Sequence, residues 1–432
     1  MDADMGAAES TPPSGRGRHK ALLGASIPRS GHHFLQRVLS RYFQDELFYC
    51  EWYTPPDCCK HVPCIKTLNR PISFQKSHDW DFSLDRNLPD ALYVVQYRHP
   101  VPEALSDRDL AMQDKLDKSS LNYRRTSDSY SWWLAHKAIY YRRFHDKWFR
   151  RRVPNAVYLN YDDLLRDPVG QIAGIVDWVD GSTDSERLSQ SISEIGGGRT
   201  FTPRVIEASA YFDQALLAPF EAYVIERCPI FEFRAELSGS YRNSEFHGLI
   251  IAQDPEEPLP DGETDRLEAA AKLAPGHPEI SLRLAEREFQ RGAPDKAIEI
   301  IQGLLERNPF FSGAYRLLMQ ICRGAGKPLP DFACRADAIF ACHNYPDILV
   351  GISDALLREK RWVNALSVLG VTTVLFPEHA RANFLLAKTL VQEGRWAQAR
   401  AYAEKALKLE PQNDKFAGLN SRIVTHFSEK AA

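Results

Sequence analysis

The sequence lacks long apolar stretches and a strong excess of charge. No run of about 18 apolar residues occurs, so no membrane-spanning helix is expected. Residues 1–18 are acidic, then rich in Pro, Gly and Ser, and they contain no apolar signal core, which predicts a disordered leader in a cytoplasmic protein. The formal net charge is only −3, so nucleic acid is not expected as a partner, and the missing apolar run means that a membrane is not expected either.

The size and composition indicate a globular protein with more than one domain. The 432 residues are too many for one ordinary core, and the hydrophobic and charged fractions of 44% and 26% are typical of folded domains. Beyond the leader we predict a first domain over residues 19–238, a linker over 239–260, and a repeat domain over 261–425.

The eight cysteines are unevenly placed, because Cys50, Cys58, Cys59 and Cys64 cluster. With His61 they offer zinc ligands, but the spacing is not that of C-x₂-C pairs. A cytoplasmic chain also disfavours disulfides. Metal binding, a disulfide and simple packing of a loop therefore stay open, with packing favoured.

A period of 34 residues runs through the C-terminal half. Helix-ending prolines recur at multiples of this spacing, namely Pro275, Pro309, Pro377 and Pro411, with His343 in the missing slot. Small residues precede three of these landmarks by 12 positions, namely Ala297, Ala365 and Ala399, whereas Asp331 breaks the column. Aliphatic residues keep the same period at Leu284, Leu318, Ile352 and Leu386. The pattern resembles the tetratricopeptide repeat, with ETDRLEAAAKLAP as a leading half-repeat and a degenerate repeat around Asp331.

Stacked helix pairs of this kind leave a concave groove. We therefore expect the repeats to bind a peptide or protein or to associate with a second copy. A spacer without a ligand is the alternative, since repeats alone do not name a partner.

Strands and helices alternate in the N-terminal half. The runs ALLGAS, ISFQKSH, ALYVVQYR and AVYLNY read as strands, and helical segments separate them. This alternation predicts an α/β domain with a P-loop-like parallel sheet, followed by an all-α solenoid of tetratricopeptide-like repeats. Ligands of such sheets bind at the carboxyl ends of the strands. The segments IPRSGHH, KSHD and RHPVPEALS should therefore converge there.

The first of these segments favours an anion other than a magnesium nucleotide. A strand, a glycine loop and a helix N-terminus form an anion site from backbone N–H groups, and Arg29 adds a positive charge. The Lys-Ser/Thr ending of an ATP loop is missing, since the loop ends in His32 and His33. A metal-free site that neutralises charge with side chains suits a sulfuryl group, because a sulfonate carries less charge than a terminal phosphate.

Four motifs together resemble the sulfotransferases that use 3′-phosphoadenosine 5′-phosphosulfate. The family loop P-K/R-S-G-T-x-W/F-L corresponds to residues 28–35, and an Arg followed eight positions later by a Ser corresponds to Arg98 and Ser106. The K-T/S-H element is present at residues 76–78, and YDDLLRDP follows in family order. The resemblance covers about residues 20–235.

The resemblance implies a role for each matching residue. The loop Ser30-Gly31-His32-His33 would hold the 5′-phosphosulfate, Arg29 would stabilise the leaving oxygen, and Phe34 would stack on adenine. Arg98 and Ser106 would bind the 3′-phosphate. His78 would be the general base, with Lys76 helping to bind the transferred group.

Two features depart from the family. His32 and His33 replace hydroxyl residues of the loop, and the late Arg-Lys-Gly segment has only GGGRTFTPR, with Arg199 and Arg204, as its counterpart. Asp79 stands beside the predicted base, where it could orient His78, serve as a base itself, or stabilise a turn. The aromatic and basic stretch 129–152 packs as a helix or borders the acceptor site.

The sequence therefore predicts a sulfotransferase that moves a sulfuryl group to a hydroxyl or amine of a small molecule, glycan or protein, without a metal. One alternative is a P-loop kinase of a small metabolite. The other is a nucleotide-binding repeat adaptor without catalytic activity.

Overall fold

The computed structural model describes residues 19–51, 61–62, 64–67, 70–114, 127–151, 153–195, 205–334 and 336–431. The chain divides into two compact units. The first comprises residues up to Asp114 together with Leu134–Tyr241, and the second comprises Arg242–Ala432 together with the segment that precedes Leu134. The predicted domain limits at 238 and 261 stay predictions.

The first unit is built on a parallel sheet of five strands in the order β2-β3-β1-β4-β5. The strands are β1 (Lys20–Ser26), β2 (Leu47–Glu51), β3 (Ile72–Ser77), β4 (Ala91–Tyr97) and β5 (Ala156–Asn160). Four of them match the predicted strands. The edge strand β2 (LFYCE) was not predicted, because only its first residue is fully buried and its pattern is mixed.

Helices lie between and after these strands along the chain. They are α1 (His32–Phe43), α2 (Pro100–Asp114), α3 (Ser127–Trp148), α4 (Tyr161–Arg166), α5 (Pro168–Asp180), α6 (Ser185–Ile195) and α7 (Gln214–Arg227). The predicted apolar face of α1 is buried against β1, β3 and β4, together with α5 and α6. Helix α5 begins as predicted, since Asp167 accepts a hydrogen bond from the Gly170 amide at 2.9 Å and Pro168 opens the first turn.

The second unit consists of helices. They are α8 (Glu245–Gln253), α9 (Arg266–Leu273), α10 (Pro278–Gln290), α11 (Pro294–Arg307), α12 (Ser312–Ala325), α13 (Ala336–Ala341), α14 (Pro346–Arg358), α15 (Trp362–Leu375), α16 (Ala380–Gln392), α17 (Trp396–Leu409) and α18 (Asp414–Ala431). Each landmark proline follows a helix end by two residues. The residues Ala297, Ala365 and Ala399 have no exposed surface. Leu284 is the exception among the aliphatic positions, since it is only partly buried.

The segment 239–260, whose role as a linker stays a prediction, contains the buried helix α8. The apolar side chains of α8 are buried, and α8 packs against α9. Gly248 permits this approach, because a Cβ there would lie 2.9 Å from the Ala270 carbonyl oxygen. The composition near Pro258 suggested a linker and concealed the apolar run before it.

Within the described ranges, no helix combines the length and the apolar character that crossing a membrane requires.

Candidate active site

The ends of β1, β3 and β4 meet where the strand order reverses. Strand β1 lies between β3 and β4, so the segments that follow these three strands leave the sheet at neighbouring points. The side chain of His78, after β3, lies 3.1 Å from the Ser26 hydroxyl at the end of β1. Arg98, after β4, donates to the Arg29 carbonyl oxygen at 3.1 Å. The predicted convergence of the three segments is thus present in the structure.

The loop after β1 has the conformation of an anion cradle. Gly31 has a φ of 89°, and a Cβ there would lie 3.1 Å from Cδ2 of Tyr161, so a side chain would be strained by the backbone and crowded by this ring. The Ser30 hydroxyl donates to the Ile27 carbonyl oxygen at 2.6 Å and closes the turn. Helix α1 begins at His32 with no acidic residue in its first turn. Its first amides therefore face the loop without a carboxylate from their own turn.

Two arginines and a serine come together beside this loop. Arg98 is 6% exposed, and its guanidinium stacks 4.0 Å above the ring of Tyr161. Its Nε is buried and has no hydrogen-bond partner among the described residues. Nε of Arg29 donates to the Ser106 hydroxyl at 3.0 Å. The residues predicted for the leaving oxygen and for the 3′-phosphate thus form one connected cluster.

His78 is held in a single tautomer. Nδ1 lies 2.7 Å from the Ser26 carbonyl oxygen, which can only accept, so this nitrogen carries the proton. Nε2 then presents its lone pair, which accepts from the Lys76 ammonium at 2.9 Å. Burial, assisted by the charge of Lys76, lowers the pKa of His78 to about 3. The imidazole is therefore neutral at pH 7, as a general base must be.

The neighbours of His78 hold it in place. The hydroxyl of Tyr140 on α3 donates to the His78 carbonyl oxygen at 2.6 Å. Tyr140 also packs against Trp80, with ring centroids 4.6 Å apart. Trp80 is 48% exposed and its ring lies 5.7 Å from that of His78, so an open aromatic surface borders the base. Sequence reasoning did not single out Trp80, since nothing local marks it as a site residue.

Asp79 has a structural role. Its carboxylate accepts from the Lys147 ammonium at 2.6 Å, the Trp148 indole at 3.0 Å and the Leu84 amide at 2.9 Å. Three donors from the protein therefore occupy it, and it holds α3 against the loop after β3. Of the open alternatives for Asp79, the turn role fits these contacts.

Several predicted residues occupy positions that their roles do not explain. Phe34 is 4% exposed and packs with Leu35 and Val38 in the core, so little of its ring is available to an adenine. Its predicted stacking role stays a prediction, and this packing disfavours it. His32 is also buried, and neither ring nitrogen has a hydrogen-bond partner within the described ranges. Arg199 and Arg204 lie outside the described residues, as do Cys58 and Cys59.

A buried charge network supports the helix that carries Ser106. Lys137 on α3 is 4% exposed, and its Nζ lies 2.8 Å from Oε1 of Glu103 and 2.7 Å from Oδ2 of Asp107. The Tyr141 hydroxyl lies 3.2 Å from both Oε2 of Glu103 and the Arg98 carbonyl oxygen. The network thus joins α2, α3 and the segment after β4.

Two family models match parts of the chain. Residues 83–185 match the model of the sulfotransferase family, and residues 264–321 and 356–423 match that of the tetratricopeptide repeat. The chain contains a sulfotransferase-family domain. This domain precedes tetratricopeptide repeats, as the sequence predicted. Such repeats are a protein- or peptide-binding architecture, and the sulfotransferase family indicates a transferase.

No curated protein gives a significant match to the sequence. Among solved structures, MamA aligns with 35% of this chain and 82% of its own, at 21% identity and a TM-score of 0.28. YrrB, described as a tetratricopeptide-repeat protein with an unusual peptide-binding site, aligns with 36% of this chain and 80% of its own, at 15% identity and a TM-score of 0.30. PilF of Pseudomonas aeruginosa aligns with 35% and 69%, at 22% identity and a TM-score of 0.27.

Proposed function

We propose that the sulfotransferase-family domain transfers a sulfuryl group from 3′-phosphoadenosine 5′-phosphosulfate to a hydroxyl or amine acceptor. The observation that carries the proposal is the meeting of Arg29, Arg98 and Ser106 with a neutral His78 at the switch point of the sheet. The donor supplies an activated sulfuryl group with a phosphate as its leaving group.

The residues present suit a donor that carries several negative charges. Arg98 is a buried cation with an unpartnered Nε, and such a group is costly unless an anion completes its hydrogen bonding. The first amides of α1 offer further donors. An anionic ligand at this edge would satisfy both sets of groups.

Proton transfer falls to His78 in this proposal. As the acceptor oxygen or nitrogen bonds to sulfur, Nε2 of His78 takes the acceptor's proton and the bond between sulfur and the bridging oxygen breaks. The products are the sulfated acceptor and the 3′,5′-bisphosphate, with the proton on His78. Lys76 must first leave Nε2, and the transferring group is the anion that would draw its ammonium away.

Arg29 stabilises the negative charge that develops on the leaving oxygen. In this structure it is hydrogen-bonded to Ser106 instead. A 3′-phosphate that takes the Ser106 hydroxyl would release Arg29 toward the bridging oxygen. Positioning and electrostatic stabilisation then account for the rate, as expected for an in-line displacement.

The acceptor is a small molecule, a glycan or a protein, and the tetratricopeptide repeats would bind a peptide, a protein or a second copy. The kinase alternative requires magnesium-dependent ATP turnover, and the loop lacks the hydroxyl residue that ligates magnesium in such enzymes. The adaptor alternative conflicts with the complete set of Arg29, His78, Arg98 and Ser106.

The test is transfer from radiolabelled donor to a cell extract and to a panel of phenols, sugars and amines. We expect labelled product with the native chain, and a rate lowered by about 10²–10⁴ in His78→Ala. His136→Ala, which changes an exposed histidine on α3, is the matched control. Unchanged transfer by His78→Ala would refute the base assignment, and transfer by neither protein would refute the proposed activity.

A further inference from the structure

The histidine pair that opens α1 lies beside the end of the edge strand β2. One ligating atom from each of His32, His33 and Glu51 lies within 4.8 Å of the other two. The rings of His32 and His33 have centroids 4.0 Å apart, so both imidazoles share one side of the helix start. Two consecutive residues of a helix thus face a carboxylate from another element.

His32 lacks the partners that a buried imidazole requires. It is 6% exposed, and both of its nitrogens are buried without a hydrogen-bond partner in the described part of the chain. Buried polar groups are nearly always paired, because an unpaired one costs free energy. An imidazole nitrogen whose lone pair is open can coordinate a metal ion.

We propose that His32, His33 and Glu51 bind a divalent transition-metal ion of the zinc type. Two imidazole nitrogens and one carboxylate form a known zinc ligand set, and they leave a fourth position open for water or an anion. Imidazole ligands favour zinc over magnesium or calcium, which prefer oxygen.

The geometry requires only side-chain adjustment. Ligand atoms about 2.1 Å from a tetrahedral ion lie about 3.4 Å from one another, so the widest separation here must shorten. His33 is exposed and Glu51 is partly buried, so both side chains have room to rotate. The Tyr49 hydroxyl lies 3.1 Å from Oε1 of Glu51, an outer contact that would orient the carboxylate.

Lys76 is the charge that opposes a cation at this place. Glu51 and Lys76 are opposite each other in the register of β2 and β3. The Lys76 ammonium is engaged with Nε2 of His78 at 2.9 Å, and it also interacts electrostatically with Glu51, so a metal ion must compete with Lys76 for Glu51. Coordination of the ion by nitrogens of both His32 and His33 offsets this competition.

A second group of potential ligands differs in this respect. His99, Glu221 and Glu236 also lie close together. The Glu221 carboxylate, however, already accepts from the Glu236 and Leu237 amides at 2.8 Å each, and His99 Nε2 lies 3.0 Å from the Arg234 carbonyl oxygen. In that group the Glu221 carboxylate and His99 Nε2 already have partners and only His99 Nδ1 is open, whereas both nitrogens of His32 lack a partner among the described residues.

The proposal goes beyond sulfuryl transfer and does not rest on it. It also runs against the sequence-based expectation of a site without metal. It offers a reason for the two histidines at the positions where the sulfotransferase loop has hydroxyl residues.

The test is calorimetric titration of the chelator-treated full chain with Zn²⁺, with Co²⁺ absorption as a second readout. We expect one ion per chain. The affinity should be at least about 10-fold weaker in His33→Ala and in Glu51→Gln, a loss of binding free energy of about 1.4 kcal/mol or more. Glu46→Gln, an exposed position just before β2, and His136→Ala are matched controls that should bind like the native chain.

The outcomes separate this site from its neighbours. His33 and Glu51 lie outside the core, and circular dichroism checks that their variants fold. Absence of Zn²⁺ binding would overturn the proposal, and so would binding that both variants retain. A thiolate-to-cobalt charge-transfer band would also overturn it, because it would assign the ion to the cysteines.

Discussion

Replacing Lys137 by methionine removes the cation from the buried network behind the candidate site. Glu103 has no exposed surface, and Lys137 is its partner at 2.8 Å. Removal of one member of a buried ion pair typically costs about 3–5 kcal/mol. Asp107 is 24% exposed and keeps its water, so we expect the lower end of this range, about 3 kcal/mol. For a unit of this size that lowers the melting temperature by about 6–12 °C.

The loss should depend on pH, because Glu103 titrates. Burial raises the pKa of Glu103 from 4.5 to about 7, with Asp107 adding to the rise and Lys137 and Arg98 opposing it. The folded state therefore holds this proton more tightly than the unfolded state. Its stabilising contribution is complete below the unfolded pKa and is lost as the pH rises through about 7. Without Lys137 the pKa rises further, so the deficit of the variant should grow between about pH 6 and pH 8.

Calorimetric melting of the native chain and three variants checks this reasoning. Lys137→Met with Glu103→Gln should recover much of the loss, because it removes the unpaired charge. The control is Lys405→Met, which breaks an ion pair in the second unit. The Lys405 side chain is 37% exposed, so its loss should change the melting temperature little. A melting temperature of Lys137→Met within about 1 °C of native at both pH values would refute the argument.

Two further predictions concern close packing. Gly31→Ala should cost more than Gly181→Ala: both positions have positive φ, with a strain of about 1–2 kcal/mol, but only at Gly31 would the new Cβ meet Tyr161. Equal melting temperatures would show that Tyr161 does not close on the loop. Ala399→Leu should destabilise the repeats by about 1–3 kcal/mol, whereas Ala401→Leu, on the exposed face of α17, should be neutral in denaturant unfolding. Equal effects would contradict the assignment of Ala399 to a tight helix crossing.

The sequence predicted the elements that local pattern determines. Strands β1 and β4 are largely apolar runs and β3 begins with alternating apolar and polar residues, so their type followed from local pattern, and their shared edge followed from the predicted parallel sheet. The repeat helices followed from the 34-residue period. Strand β2 did not, because it is half-buried at the edge and carries no such run.

Contacts between distant residues could not be predicted in this way. Tyr161 stacks on Arg98 and limits Gly31, yet these residues come from three different elements. The link between Arg29 and Ser106 spans 77 residues, and only the fold brings the two together. Family motifs named both residues but did not predict that they bond to each other.

The burial of individual side chains could not be predicted from the sequence either. Phe34 matches an aromatic position of the family loop, but the packing of α1 turns its ring into the core. Asp79 and His78 are adjacent in sequence, yet their side chains have different roles. Asp79 forms a structural ion pair with Lys147, and His78 is the candidate base. Local spacing does not determine which way neighbouring side chains point at the end of a strand.

The most direct test of the central claim is calorimetric titration of the full chain with adenosine 3′,5′-bisphosphate. The proposed function predicts one binding site in the native chain. Arg98→Ala should weaken it by about 10- to 150-fold, the equivalent of about 1.5–3 kcal/mol for a charge-assisted contact. Arg166→Ala, an exposed arginine on α4, should bind like the native chain. Absence of binding by the native chain, or binding unchanged by Arg98→Ala, would contradict the account.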